Sequence, residues 1–171
     1  MNYFEQESER LRFRKLTMDD VESWEGFFDN NESLPYMGLD LSRGKQALAH
    51  EWILKQLERY ETQGLGHLAI IEKASGAFIG MAGILPREVD EKPFHEVAYS
   101  LKPAFWGKGY GTESASQMKA FGLNNNIDKQ FVSIIDKRNH ASIHVAEKNG
   151  MTALFETHYL GMDVAVYGTG K

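Results

Sequence analysis

The chain has 171 residues, 42% of them hydrophobic and 25% charged, which is enough for one domain with a substantial core. It has no cysteine, which excludes disulfides, thiolate-ligated zinc and a cysteine nucleophile. The net charge of −5 argues against a nucleic-acid partner, no apolar run is long enough to span a bilayer, and the polar, acidic first ten residues do not read as a signal peptide, so the expected setting is the cytoplasm.

Leu11 to Leu16 alternates and predicts a first strand. Thr17 is a good N-cap, with Asp19 and Asp20 in the turn that follows, so a helix is expected through Trp24, Phe27 and Phe28. Residues 30–44 hold Pro35, Gly38 and Gly44 and read as a loop. Ala49, Ile53, Leu57 and Tyr60 mark the apolar stripe of a long helix from about Lys45 to Thr62, which Gly64 and Gly66 end. His67–Lys73 and Ala77–Leu85 read as strands joined by a hairpin turn at Ala74-Ser75-Gly76, with another turn at Asp90–Pro93. Glu96–Leu101 is the next strand, and Thr112–Leu123 the next helix. Phe131–Ile135 is β-branched, and Asn139–Lys148 is a short helix stopped by Gly150. Two strands, Thr152–Leu160 and Asp163–Tyr167, complete the order β-α-α-β-β-β-α-β-α-β-β. This is an α/β fold, a mixed sheet with flanking helices, read as a single domain over residues 1–171.

Charge is unevenly placed. Residues 1–101 carry 11 basic and 18 acidic side chains, whereas residues 102–150 carry seven and four. Inside the basic part lies Phe105-Trp106-Gly107-Lys108-Gly109-Tyr110-Gly111-Thr112-Glu113, between the strand Glu96–Leu101 and a helix. Glycine lets the backbone approach an anion, and the first N–H groups of a helix lack internal partners, so the junction suits a phosphate. The acidic remainder favours a cationic substrate. Lys108-Gly109 breaks the P-loop pattern, which needs Lys-Ser/Thr. Gly109-x-Gly111-x-x-Ser114 lacks the third glycine of a dinucleotide fingerprint. His140 and His144 have the i,i+4 spacing of metal ligands, but the helix lacks the accompanying glutamate and a third ligand, so no metal is expected.

Trp106-Gly107-Lys108-Gly109-Tyr110-Gly111 resembles the diphosphate loop Gln/Arg-x-x-Gly-x-Gly/Ala of the GNAT (N-acetyltransferase) superfamily, with Trp106 at the Gln/Arg position. W-G-K/R-G-Y-G/A-T-E resembles the branch that contains the ribosomal-protein N-terminal acetyltransferases. Asn139 to Met151 resembles the same branch's N-x-x-S-x-x-x-x-E-K-x-G-F segment, and the likeness extends from Glu9-Arg10-Leu11 to Asp163–Tyr167. The resemblance implies a mixed, mostly antiparallel sheet of about seven strands. It also implies acetyl transfer from acetyl-CoA directly to a primary amine, a protein N-terminus or a small molecule. Because fold does not fix function, a non-catalytic acyl-CoA sensor or binding module on the same fold is the rival reading. A monomer or homodimer is expected.

On that resemblance the N–H groups of Gly107, Lys108, Gly109, Tyr110, Gly111 and Thr112, beside Trp106, hold the diphosphate. The strand Ala98, Tyr99, Ser100, Leu101 pairs with the pantetheine arm, and Val97 N–H or a neighbour polarises the thioester carbonyl. Glu96 is the candidate general base, with His95 its rival. Asn139 either caps its helix or bonds the pantetheine arm, and Ser142 is placed to stabilise the departing thiolate. Tyr159 and Tyr167 are alternative acids. Trp24, Phe27 and Trp52 read as core, whereas Tyr36 and Met37, on the loop, are expected to line the acceptor pocket.

Overall fold

The computed structural model describes residues 2–169. Among these, eight strands form one sheet: β1 (Glu5–Glu7), β2 (Leu11–Arg14), β3 (Gly66–Glu72), β4 (Phe78–Val89), β5 (Lys92–Leu101), β6 (Val132–Asp136), β7 (Thr152–Tyr159) and β8 (Met162–Gly168). Their order across the sheet is β1-β2-β3-β4-β5-β6-β8-β7. Every neighbouring pair is antiparallel except β5 and β6. The helices are α1 (Val21–Trp24), α2 (Lys45–Gln63), α3 (Tyr110–Asn124) and α4 (His140–Lys148).

β4 and β5 pair in register over ten positions, from Gly80↔Leu101 to Val89↔Lys92. β5 and β6 pair only at Glu96↔Val132. Beyond that point the two strands part, and the β6-facing edge of Val97–Leu101 is left without a strand partner. Parallel neighbours need a crossover, and α3 supplies it on one face of the sheet.

The core has two layers, one on each face. Leu11, Phe13, Leu68, Ile70, Ile84, Val97, Met118 and Phe131 pack beneath α3 and α4. Leu16, Trp24, Phe27, Ala49, Ile53, Ala69 and Met81 pack beneath α1 and α2. Trp24 and Phe27 stack at 4.5 Å and are almost fully buried, as their helical spacing implies.

Four elements differ from the sequence expectation. The sheet has eight strands rather than about seven, because Glu5–Glu7 adds to β2, with Glu5 opposite Arg14 and Glu7 opposite Arg12. The helix expected from Thr17 to Phe28 is a chain of short pieces: 3-10 turns at Met18–Asp20 and Glu25–Phe28 flank α1. Thr17 does form a capping box, its hydroxyl accepting from Asp19 N–H and the Asp20 carboxylate from Thr17 N–H. The turn expected at Asp90–Pro93 is tighter. Asp90 and Glu91 both have positive φ, 50° and 65°, and β5 begins at Lys92. Glu96 therefore sits in the middle of its strand, not at its start. Finally, α3 begins at Tyr110, two residues before the expected Thr112.

Candidate functional site

The glycine loop enters α3 through two left-handed residues, Gly107 (φ 76°) and Gly109 (φ 81°), where a side chain would be strained. A 3-10 turn at Pro103–Phe105 precedes it. The first hydrogen bond of α3 runs from Glu113 N–H to the Gly109 carbonyl, 3.1 Å, so the N–H groups just before Glu113 lie ahead of the helical ladder. A Cβ on Gly111 would meet the Tyr99 ring at 2.8 Å, so the absence of a side chain lets α3 close on β5.

The loop is fixed from three sides. The Trp106 indole N–H donates to the Leu101 carbonyl at 2.8 Å, tying the loop to the end of β5. Arg10 reaches across from β1–β2, donating from Nη1 to the Lys108 carbonyl (2.8 Å) and from Nε to Glu113 Oε2 (2.7 Å). Its main-chain N–H and the Ser8 hydroxyl donate to Glu113 Oε1. Burial alone would push the Glu113 carboxyl up; the bonds from Ser8 and Arg10 outweigh it and hold it below the usual range. The Arg10 guanidinium also lies 4.3 Å over the Tyr110 ring, and the Tyr110 hydroxyl donates to Glu72 at 2.5 Å. Arg10, Ser8 and Glu72 were not singled out in the sequence. The distance from Arg10 to Glu113 along the chain hides the pairing, and the only local signal was the charge at the helix start.

Between β5 and β6 the parting strands leave a groove. Its walls include Glu96, Tyr99, Ser133, Ser142, Ala146 and Asn149. Ala98 also lines it, while Ser100 and Leu101 continue the strand toward the glycine loop. Asn139 acts as the N-cap of α4, its side-chain oxygen accepting from Ser142 N–H at 3.3 Å. The Ser142 side chain lies beside the Tyr99 phenol in the groove wall. Burial raises that phenol's pKa, and Ser142 partly offsets the rise.

Glu96 sits where the sheet divides. Its Oε1 accepts from Arg87 Nε and its Oε2 from Ile134 N–H, both at 3.0 Å. The Ser133 hydroxyl donates to the Val97 carbonyl at 3.0 Å. Side-chain bonds thus replace the ladder just where it ends. The Leu85↔Glu96 register places Arg87, two residues on from Leu85, on the same face of the sheet as Glu96, the face that α2 covers. Arg59 of α2 and Tyr159 of β7 complete the cluster: Tyr159 lies close to Arg87, and Arg59 lies within electrostatic reach of Arg87, Glu96 and Tyr159. His95 points to the opposite face and pairs with Asp128 at 2.7 Å. Tyr167 packs against the α3-side core.

Tyr36 and Met37 lie on a 3-10 turn and its cap and are partly buried. Arg138 lies 5.2 Å over the Tyr36 ring and is itself held by Asp136, whose carboxyl it keeps below the usual range. Met37 packs toward Trp24 and Phe27. A Cβ on Gly38 would meet Leu160 at 2.9 Å, so the loop and the β7–β8 turn are closely docked. Trp52 belongs to the core layer, but its indole N–H also donates to His67 Nδ1 at 3.1 Å.

No group of three or more potential metal ligands is found among the described residues, His140 and His144 included, and no helix among them is long and apolar enough to cross a membrane.

This architecture is shared by known proteins. Residues 10–152 match the family profile described as "Acetyltransferase (GNAT) domain". The chain is 28% identical over 162 residues to the uncharacterized protein YkkB of Bacillus subtilis (strain 168), covering 94% of this chain and 92% of that one. An acetyltransferase from Agrobacterium tumefaciens str. C58 superposes with a TM-score of 0.80 at 24% identity, over 98% of this chain and 94% of that one. RimL, a ribosomal L7/L12 alpha-N-protein acetyltransferase solved in complex with coenzyme A, superposes with a TM-score of 0.78 at 18% identity, over 94% of each chain. The profile spans more than half of the residues, and the chain belongs to the GNAT family of acetyltransferases.

Proposed function

We propose that this acetyltransferase takes acetyl-CoA as donor and transfers the acetyl group directly to a primary amine. The observation that carries this reading is the groove: it opens along the unpaired edge of β5, passes Tyr99 and Ser142, and reaches Glu96. Coenzyme A has the matching order of parts, and the RimL structure shows it on the same fold. The diphosphate suits the N–H groups of Gly107 to Thr112 with Lys108 beside them. The amide-bearing pantetheine arm suits Ala98 to Leu101, to which it would add as a strand does.

The amine nitrogen attacks the thioester carbonyl, the C–S bond breaks, the amine loses a proton and the thiolate gains one. Glu96 lines the groove and serves as base through water, its side-chain position set by Arg87 and Ile134. Val97 N–H or a neighbour polarises the carbonyl. Ser142 donates to the leaving sulfur; its amide is capped by Asn139, and the residue lines the groove beside Tyr99. Tyr36 and Met37 shape the acceptor side. All of these roles fall within one domain over residues 1–171.

One observation favours a non-catalytic acyl-CoA sensor instead: both oxygens of Glu96 already accept hydrogen bonds. Turnover decides. Incubation with acetyl-CoA and a panel of amines should release free CoA only when an amine is present. Tight acetyl-CoA binding with no release across the panel would favour the sensor.

A further inference from the structure

Glu96, which lines the groove, is also the edge of a cluster on the α2 face of the sheet that has more donors than acceptors. Arg87 commits Nε to Glu96, and Tyr159 is its neighbour on the other side. Arg59 donates from Nη1 to Gln56 Oε1 at 3.2 Å, and that oxygen also accepts from His67 N–H at 2.9 Å. Among the described residues no carboxylate lies within ion-pairing distance of Arg59. Glu58, exposed on the same turn of α2, acts on it through solvent.

His67 gives an independent sign. It is 94% buried, and its Nδ1 accepts from Trp52, so the neutral ring carries its proton on Nε2. That buried Nε2 has no hydrogen-bond partner. The cluster thus holds two half-buried guanidinium groups, one carboxylate whose oxygens are both engaged, and an orphan N–H. It carries a positive charge in a chain whose net charge is −5. Burial depresses the Arg59 pKa, and the Arg87 charge depresses it further, as expected when two cations share one anion.

We propose that Arg59 and Arg87 form a subsite for an anionic group of the acceptor, so that the amine acetylated here carries a carboxylate close to its reacting nitrogen. This inference rests on the acetyl-transfer reading. A guanidinium presents paired donors that match a carboxylate, and a half-buried site strengthens the match. The overall acidity of the residue 1–101 segment pointed to a cationic acceptor; the charges beside the groove point the other way, and local charge governs docking. The carboxylate could belong to a free amino acid or to the second residue of a peptide.

The test compares acceptors matched except for the carboxylate: alanine against alaninamide, and Ser-Glu amide against Ser-Gln amide, each with acetyl-CoA. Wild type should prefer the acidic member by about tenfold or more in kcat/KM, as expected for a hydrogen bond to a charged group. Arg59→Gln should abolish that preference through KM while leaving CoA affinity unchanged, and Arg59→Lys should restore part of it. The pair that shows the effect identifies the source of the carboxylate. Equal kcat/KM within both pairs, or a preference that survives in Arg59→Gln, overturns the subsite. Glutarate titrated against its diamide into CoA-loaded protein reads the subsite without turnover. Arg59-dependent glutarate binding with no turnover keeps the subsite and removes acetyl transfer; no glutarate binding by wild type removes the subsite.

Discussion

At Glu96 the chain places a carboxylate under two demands. It joins two strands where their ladder stops, and it lines the groove in which we propose it as the base. Glu96→Gln keeps the shape of the side chain and one acceptor oxygen, which can take the N–H of Ile134 or of Arg87 but not both, so the fold should persist at some cost in stability while base catalysis is lost. We expect kcat to fall by about 100-fold or more with little change in acetyl-CoA affinity, and the acid limb of the pH–rate profile to change. An unaltered kcat and profile would remove Glu96 from the proton transfer. His67 makes a different claim. Burial, with the charges of Arg87 and Arg59, holds its pKa well below 6.5. The unfolded chain therefore binds a proton that the folded chain refuses. Stability is complete above about pH 6.5 and declines as pH falls below it, by up to about 1.4 kcal/mol per pH unit. His67→Gln should flatten this slope in chemical denaturation curves between pH 7.5 and 5. A slope as steep as wild type would place the acid sensitivity elsewhere. In the sequence His67 was only the first residue of a strand, because the groups that matter to it, Trp52, Arg59 and Arg87, come from other elements.

Among the elements, the glycine loop was the most legible, since alternate glycines between a strand and a helix have few physical readings. What the spacing could not reveal was its brace. Arg10 neutralises Glu113, which would otherwise set a negative charge beside the proposed diphosphate loop, and engages the Lys108 carbonyl. Arg10→Ala should weaken acetyl-CoA binding by about tenfold, since it removes a charge-assisted pair and unfastens the loop. Unchanged calorimetric affinity would show that the loop holds its shape alone. The β4–β5 hairpin was read too short for a related reason. Pro86 and Pro93 look like strand breakers, yet both sit within the ladder, opposite His95 and Glu88. β1 was missed because three polar residues carry no periodicity, and its evidence is the opposed charges on β2.

At the scale of the molecule, the division of the sheet is the main consequence of the fold. Two core layers hold the halves together while β5 and β6 separate, so the groove is built into the topology rather than shaped by one loop. The topology was legible from element order and from the family resemblance; the arginine cluster was not, because Arg59, Arg87, Glu96 and Tyr159 meet only in three dimensions. Trp24 anchors the layer beneath α1 and α2, stacking on Phe27 and meeting Trp52 edge-on. Trp24→Ala should cost about 3–5 kcal/mol in denaturant unfolding. A loss below 1 kcal/mol would mean that layer is not a packed core.

Calorimetric titration of acetyl-CoA into the wild-type protein and Gly109→Val tests the groove most directly. Gly109 has φ 81°, a conformation a β-branched residue strongly resists, and it lies at the start of α3, away from the buried core. The expected result is saturable binding of one acetyl-CoA per chain by wild type and none by Gly109→Val, which stays folded with a melting temperature lowered by only a few degrees. No binding by wild type, or equal affinity in the two proteins, would contradict a diphosphate held at the Gly107–Thr112 amides.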